Sequence, residues 1–196
     1  MAHRALILAA FLGSSLTLGS SVFVQAQAAP ATDHTAMDHP AAAKQTLAPA
    51  ADVLRSYTSL KANILKAAAG MPADSYNYRP TPDIRTFARV VNHISEAQLH
   101  SCGAINGTAT ADLFKVPAET ADKTAVVAAL QASFAECDKA LQSFTDANLL
   151  QNYTVGATTR ARISLAWATV SHDNEQYATL ALYMRLKGLT PPSSEK

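Results

Sequence analysis

The stretch Ile163–Lys187, ISLAWATVSHDNEQYATLALYMRLK, decides the fold. It is the longest uninterrupted helical pattern in the chain and holds the only tryptophan. At about 100° per residue, Ile163, Trp167, Val170, Asn174, Tyr177 and Ala181 fall on one side, with Leu165, Thr169, His172, Gln176, Leu180 and Tyr183 nearly opposite. A helix apolar on two sides is wrapped by neighbours rather than laid on a surface, so the pattern predicts a central helix. Asn174, on the Trp167 side, is expected to hydrogen-bond within the core, because a buried amide needs partners. His172 and Gln176, one turn apart, are the polar groups that surrounding helices would enclose.

Outward from this stretch the chain repeats the helical period three more times. Val53, Leu54, Tyr57, Leu60, Ile64, Leu65 and Ala68 recur at spacings of three and four, in a helix that starts near Asp52 and stops at Gly70. Phe87, Val90, Val91, Ile94, Gln98, Cys102 and Ile105 do the same after Thr86, a good N-cap, and before Gly107. A third run from about Asp122 carries Val127, Leu130, Phe134, Cys137, Leu141 and Phe144. The last helix stops at Gly188, with Pro191 and Pro192 beyond. No alternating run is long enough to argue for a sheet. The expectation is an all-α four-helix bundle over residues 51–193.

Composition agrees. The 196 residues are 48% hydrophobic, rich in Ala and poor in Gly, which favours helix and a sizeable core. Sixteen basic residues against 15 acidic leave a net charge of +1, with no basic cluster that would recruit nucleic acid. Residues 1–28 read as an export signal: His3 and Arg4 precede an apolar run to Leu18, and Ala26-Gln27-Ala28 is a small-x-small cleavage site. The destination implied is the periplasm or the exterior, with no stable membrane insertion once the signal is cut. Residues 29–50 read as an Ala/Pro-rich disordered tether, in which His34, Met37 and His39 are either incidental or a loose site for a soft metal.

His93 and His172 are the candidates for chemistry; taken alone, each reads more readily as a structural or exposed histidine than as a ligand. Gln176 shares the His172 face one turn on and offers a neutral amide oxygen, a weak ligand. Glu96 and Glu175 are read as pointing away, and His100 as exposed. Tyr76, Tyr78 and Arg79 are expected to close one end of the bundle. Cys102 and Cys137, the only cysteines, lie on the apolar stripes of the second and third helices. They form either an inter-helix disulfide, favoured by an oxidising compartment, or two buried thiols.

Three segments carry a resemblance: MPADSYNYRPTPDIRTFARVVNHISEAQ, the Cys137-Asp138-x-Ala140-Leu141 stretch, and SHDNEQYATLALYMRLKGLTPPS. Together they resemble the DinB/YfiT-like helical-bundle family, over essentially all of Val53–Ser193. The resemblance implies a four-helix bundle that holds a divalent metal, zinc or nickel, through three histidines, one from the second helix and two from an H-x-x-x-H in the fourth. It also implies thiol-dependent transferase or isomerase chemistry in some members and no known activity in many; for this chain the enzyme reading is a metal-dependent hydrolase or thiol transferase. His93 and His172 match the first two positions; Gln176 stands at the third. Two histidines and a glutamine hold an ion more weakly and polarise a bound water less. The expectations are therefore a degenerate metal site in an exported enzyme, or a non-catalytic bundle that binds a small molecule or partner. A homodimer is compatible with either.

Overall fold

The computed structural model describes residues 48–196, so the expected export signal and most of the tether, with His34, Met37 and His39, lie outside the described residues. Four helices form the bundle: α1 Pro49–Gly70, α2 Phe87–Asn106, α3 Lys123–Gln142 and α4 Arg162–Leu186. The first begins two residues inside the span expected to be tether. Pro49 occupies its first turn, where the missing N–H costs nothing, and the Ala50 N–H donates to Asp146 Oδ1 at 2.9 Å.

The ends follow the sequence closely. Thr86 caps α2 by accepting from the Arg89 N–H at 3.1 Å, and Asp122 caps α3 by accepting from Ala125 N–H at 2.7 Å. Gly107 terminates α2 at φ 72°, a left-handed conformation that any Cβ would strain. The C-terminal carbonyls of α1 receive a cation: Lys123 Nζ donates to Ala69 O at 2.6 Å and Met71 O at 2.8 Å. Around the bundle, α2 packs on α3 and on α4, while α1 packs on α4 and, less extensively, on α3. The stripes named from sequence meet inside, where Ile64, Phe87, Ile94, Leu130, Leu165 and Leu180 are buried to 1% exposure or less. Tyr76 packs edge-on against Phe87, and Tyr78 against Tyr183, closing one end as expected; Arg79 is exposed. No helix among the described residues is long and apolar enough to cross a membrane.

Two expectations are corrected. The α3–α4 connection contains a hairpin: β1 Asn152–Val155 pairs antiparallel with β2 Thr158–Ala161, with Gly156 at φ 59° in a two-residue turn. Its base is held by Arg162, which is 4% exposed. Arg162 Nη2 donates to Ala140 O at 2.8 Å and to Ser143 Oγ at 2.6 Å, and its guanidinium lies over the Phe144 and Tyr153 rings. Secondly, α4 is not apolar on two sides. Leu165, Ala166, Thr169, Val170, Asp173, Gln176, Tyr177, Leu180, Ala181 and Met184 make one broad buried stripe. Trp167 is 56% exposed and Asn174 is also on the solvent side. The buried face is rotated about one residue from the one centred on Trp167, because Asp173 rather than Asn174 turns inward.

The two cysteines are joined: Cys102 and Cys137 form a disulfide that ties the C-terminal part of α2 to that of α3.

Candidate functional site

His93 and His172, 79 residues apart, meet where α2 crosses α4. Their Nε2 atoms are 3.2 Å apart, and the rings stand at 72° to one another with centroids 4.9 Å apart. Both side chains are about a quarter exposed, so the pair sits at the rim of the bundle, within reach of water. His93 lies off the apolar stripe of α2, which is what brings it to this rim.

Behind each ring lies a carboxylate. His93 Nδ1 is 3.8 Å from Glu96 Oε2, one turn on. Glu96, read from sequence as pointing away, instead turns back along α2, drawn by Arg89, whose Nη1 and Nη2 donate to it at 2.9 and 3.0 Å. His172 Nδ1 is 3.7 Å from Asp173 Oδ1. Asp173 is 1% exposed and was not singled out by the sequence, which gives no reason to expect an acid inside. Its other oxygen, Oδ2, accepts from Gln98 Nε2 at 2.8 Å; Gln98 Oε1 accepts from Ser133 Oγ at 2.7 Å. Gln98 and Ser133 are wholly buried, so a polar column runs from α3 through α2 to α4 and ends behind His172. Burial pushes the Asp173 carboxyl above the usual range, while His172 and the Gln98 N–H act in the opposite direction. His93 is held below the usual imidazole value by burial first, then by the Arg85, His172 and Arg89 charges, against Glu96. It therefore stays neutral, and able to act as a ligand, to lower pH than a free imidazole.

Gln176 is buried at 6% exposure but makes no hydrogen bond to either histidine. It lines a recess of about 530 Å³ with Arg85, Val90, Glu175 and Tyr183. Arg85 also lines a second recess, of about 650 Å³, with Arg79, Arg89, Asn92, Glu96 and Glu119. His100 is exposed, as is Glu175. Among the described residues no group of three or more His, Cys, Asp or Glu side chains is placed to hold a metal ion. The donor set at the histidines is therefore two imidazoles, with Gln176 a turn away.

The histidine pair nonetheless has dimensions that suit an ion. Two Nε2 atoms 3.2 Å apart, each about 2.0–2.1 Å from one ion, would subtend an angle of about 100°, between octahedral and tetrahedral values. A bundle of four helices with a histidine pair between α2 and α4 at its rim defines a class of helical-bundle proteins. The chain belongs to the DinB superfamily, whose family profile matches residues 56–180. The fold is similar to a DinB-like protein from Bacillus cereus ATCC 10987, at 19% identity and a TM-score of 0.56, over 71% of this chain and 93% of that one. It is also similar to a DinB-like protein from Bacillus subtilis, at 15% identity and a TM-score of 0.58, with the same coverage of each chain. No curated protein sequence matches the chain.

Proposed function

We propose that His93 and His172 hold a divalent metal ion, zinc or nickel, and that this DinB-like bundle is a metal-assisted enzyme of the hydrolase or thiol-transferase kind. One observation carries the reading. The Nδ1 side of each ring faces a carboxylate, which favours Nδ1–H on both rings and leaves two bare Nε2 lone pairs 3.2 Å apart. Facing lone pairs repel unless a cation lies between them or one ring changes tautomer. An ion there supplies Lewis-acid chemistry toward a bound water or thiol. The chain's own part is to fix two cis donors, to leave the solvent side open for substrate, and to offer Gln176 and water as the remaining weak donors. Arg85, shared by both recesses beside the pair, is placed to attract a negatively charged substrate group. The Cys102–Cys137 disulfide supports the further reading that the mature chain works outside the cytoplasm, where such bonds persist.

The test is metal content by mass spectrometry on untagged protein from Ala29 onward, beside the His93→Ala/His172→Ala variant. Near-stoichiometric divalent metal in the wild type and its loss in the variant are expected. A wild type that carries no metal and takes up none on titration defeats the reading. A second reading is favoured by the same 3.2 Å distance, since the two rings can satisfy each other by one hydrogen bond with no ion. The bundle would then be a non-catalytic binder of a small ligand in the Arg85 recesses, and the metal titration separates the two.

A further inference from the structure

We infer that Asp173 is the positioning residue of the histidine pair: held by Gln98 and Ser133, it fixes His172 as the Nδ1–H tautomer, so that the bare Nε2 always points at His93. The evidence is an orphaned pair of atoms. His172 Nδ1 and Asp173 Oδ1 are both buried, neither has a hydrogen-bond partner, and they lie 3.7 Å apart. Two unsatisfied buried polar groups side by side are costly, and each is what the other lacks once Nδ1 carries the proton. His172 and Asp173 line, with Gln98, Ser101 and Thr169, a cleft of about 200 Å³ between α2 and α4, and the two orphaned atoms lie behind its wall.

Nothing else in the cleft competes for either atom. Ser101 Oγ and Thr169 Oγ1 are 3.0 Å apart and are bonded to the Ala97 and Leu165 carbonyls of their own helices. His100, across the cleft, is exposed to solvent. Asp173 cannot swing away, because Gln98 Nε2 holds its Oδ2 and Ser133 in turn holds Gln98 Oε1, which fixes the amide's orientation. With Oδ2 taken by the Gln98 N–H, Oδ1 is the acceptor left facing His172 Nδ1.

The two histidines are consequently unequal. The carboxylate behind His93 belongs to Glu96, which is 41% exposed on its side chain and already takes both Arg89 N–H groups. Its hold on the His93 proton is weak. Without an ion, His93 is the ring that changes tautomer and donates Nε2–H across the 3.2 Å gap to His172. With an ion, His93 would carry its proton on Nδ1, toward Glu96, instead of on Nε2, and His172 needs no change. The purpose of this arrangement rests on the metal reading above, but the tautomer itself does not.

The experiment is a two-bond 1H–15N correlation spectrum of the metal-stripped mature protein, uniformly labelled at histidine, at a pH where the imidazoles are neutral. The His172 and His93 signals are assigned by His172→Gln and His93→Gln variants. His172 is expected as Nδ1–H and His93 as Nε2–H. Asp173→Asn keeps the shape and removes the charge; it should shift His172 toward the Nε2–H form and weaken cobalt(II) affinity by about 10–100-fold. His172 found as Nε2–H in the wild type, or an unchanged tautomer ratio in Asp173→Asn, overturns the inference. If Asp173→Asn fails to fold, Ser133→Ala, which frees the Gln98 amide to rotate, should blur the His172 tautomer preference, and no change there overturns it equally. Correct tautomers together with failed metal uptake would sink the metal reading and leave this one standing.

Discussion

Deleting the disulfide, as Cys102→Ala/Cys137→Ala, should cost this domain about 4 kcal/mol. The bridge joins residues 35 apart in sequence, so it closes a loop of that length in the unfolded chain. Chain-entropy arithmetic for such a loop gives about 13 cal/mol/K, or about 3.8 kcal/mol at room temperature. Both cysteines are buried to 1% exposure or less on facing stripes, so alanine leaves only small voids and introduces no buried hydroxyl. For a domain of this size the loss corresponds to a fall in Tm of about 8–15 °C. The assay is urea unfolding followed by circular dichroism, with the oxidised wild type beside the variant. The midpoint should fall, and the slope m should rise, because an uncrosslinked chain exposes more surface. A loss under about 1 kcal/mol with unchanged m would refute the reasoning. It would mean that α2 and α3 stay associated in the unfolded chain, so that the bridge constrains nothing.

Three other predictions follow from buried groups. The Tyr57 phenol, 4% exposed and donating to Asp138 at 2.8 Å, is raised well above its ordinary value of 10.0 by burial, and Tyr76 is raised likewise. Their contribution to stability is fully present below pH 10 and is lost as pH rises toward the folded-state values, because the unfolded phenols ionise first; absorbance at 295 nm should show late, cooperative ionisation that coincides with alkaline unfolding, and gradual ionisation in a folded protein would contradict this. Gln176→His adds an imidazole one turn from His172, and should tighten metal binding at least tenfold, about 1.4 kcal/mol, by calorimetric titration; no change would show that the side chain stays in the Arg85 recess. Arg162→Leu removes two charge-assisted bonds to the end of α3, and should cost about 2–3 kcal/mol in urea unfolding; a loss below about 0.5 kcal/mol would show that the hairpin needs no clamp.

Much of the fold is written at the resolution of one helical turn. The stripes of α1, α2 and α3, the caps at Thr86 and Asp122, and the stop at Gly107 are local patterns that depend on few long-range contacts, and the structure keeps them. The hairpin escaped because its strands are four residues long and largely exposed, so no apolar alternation announces them. A signal was present nonetheless: Thr154-Val155 and Thr158-Thr159 are β-branched pairs flanking Gly156-Ala157, the two-residue turn that matches strand twist.

The misreading of α4 has a more informative cause. Its buried stripe contains Thr169, Asp173 and Gln176 and its exposed face carries Trp167, Leu182 and Leu186, so averaging hydrophobicity around the wheel gives almost no preferred side. Trp167, the largest apolar group, then pulled the assumed face toward itself, although it lies 56% exposed. The helix with the weakest pattern is the one that carries Asp173, the end of the polar column, beside His172. A buried carboxylate, amide and hydroxyl bonded in series contribute little net stability compared with the aliphatic residues that could stand there. Their presence makes sense only if what they hold in place matters, and what they hold is His172. The departure from an ideal bundle pattern is therefore where the site begins, and its polar residues at core spacing were the legible trace of it.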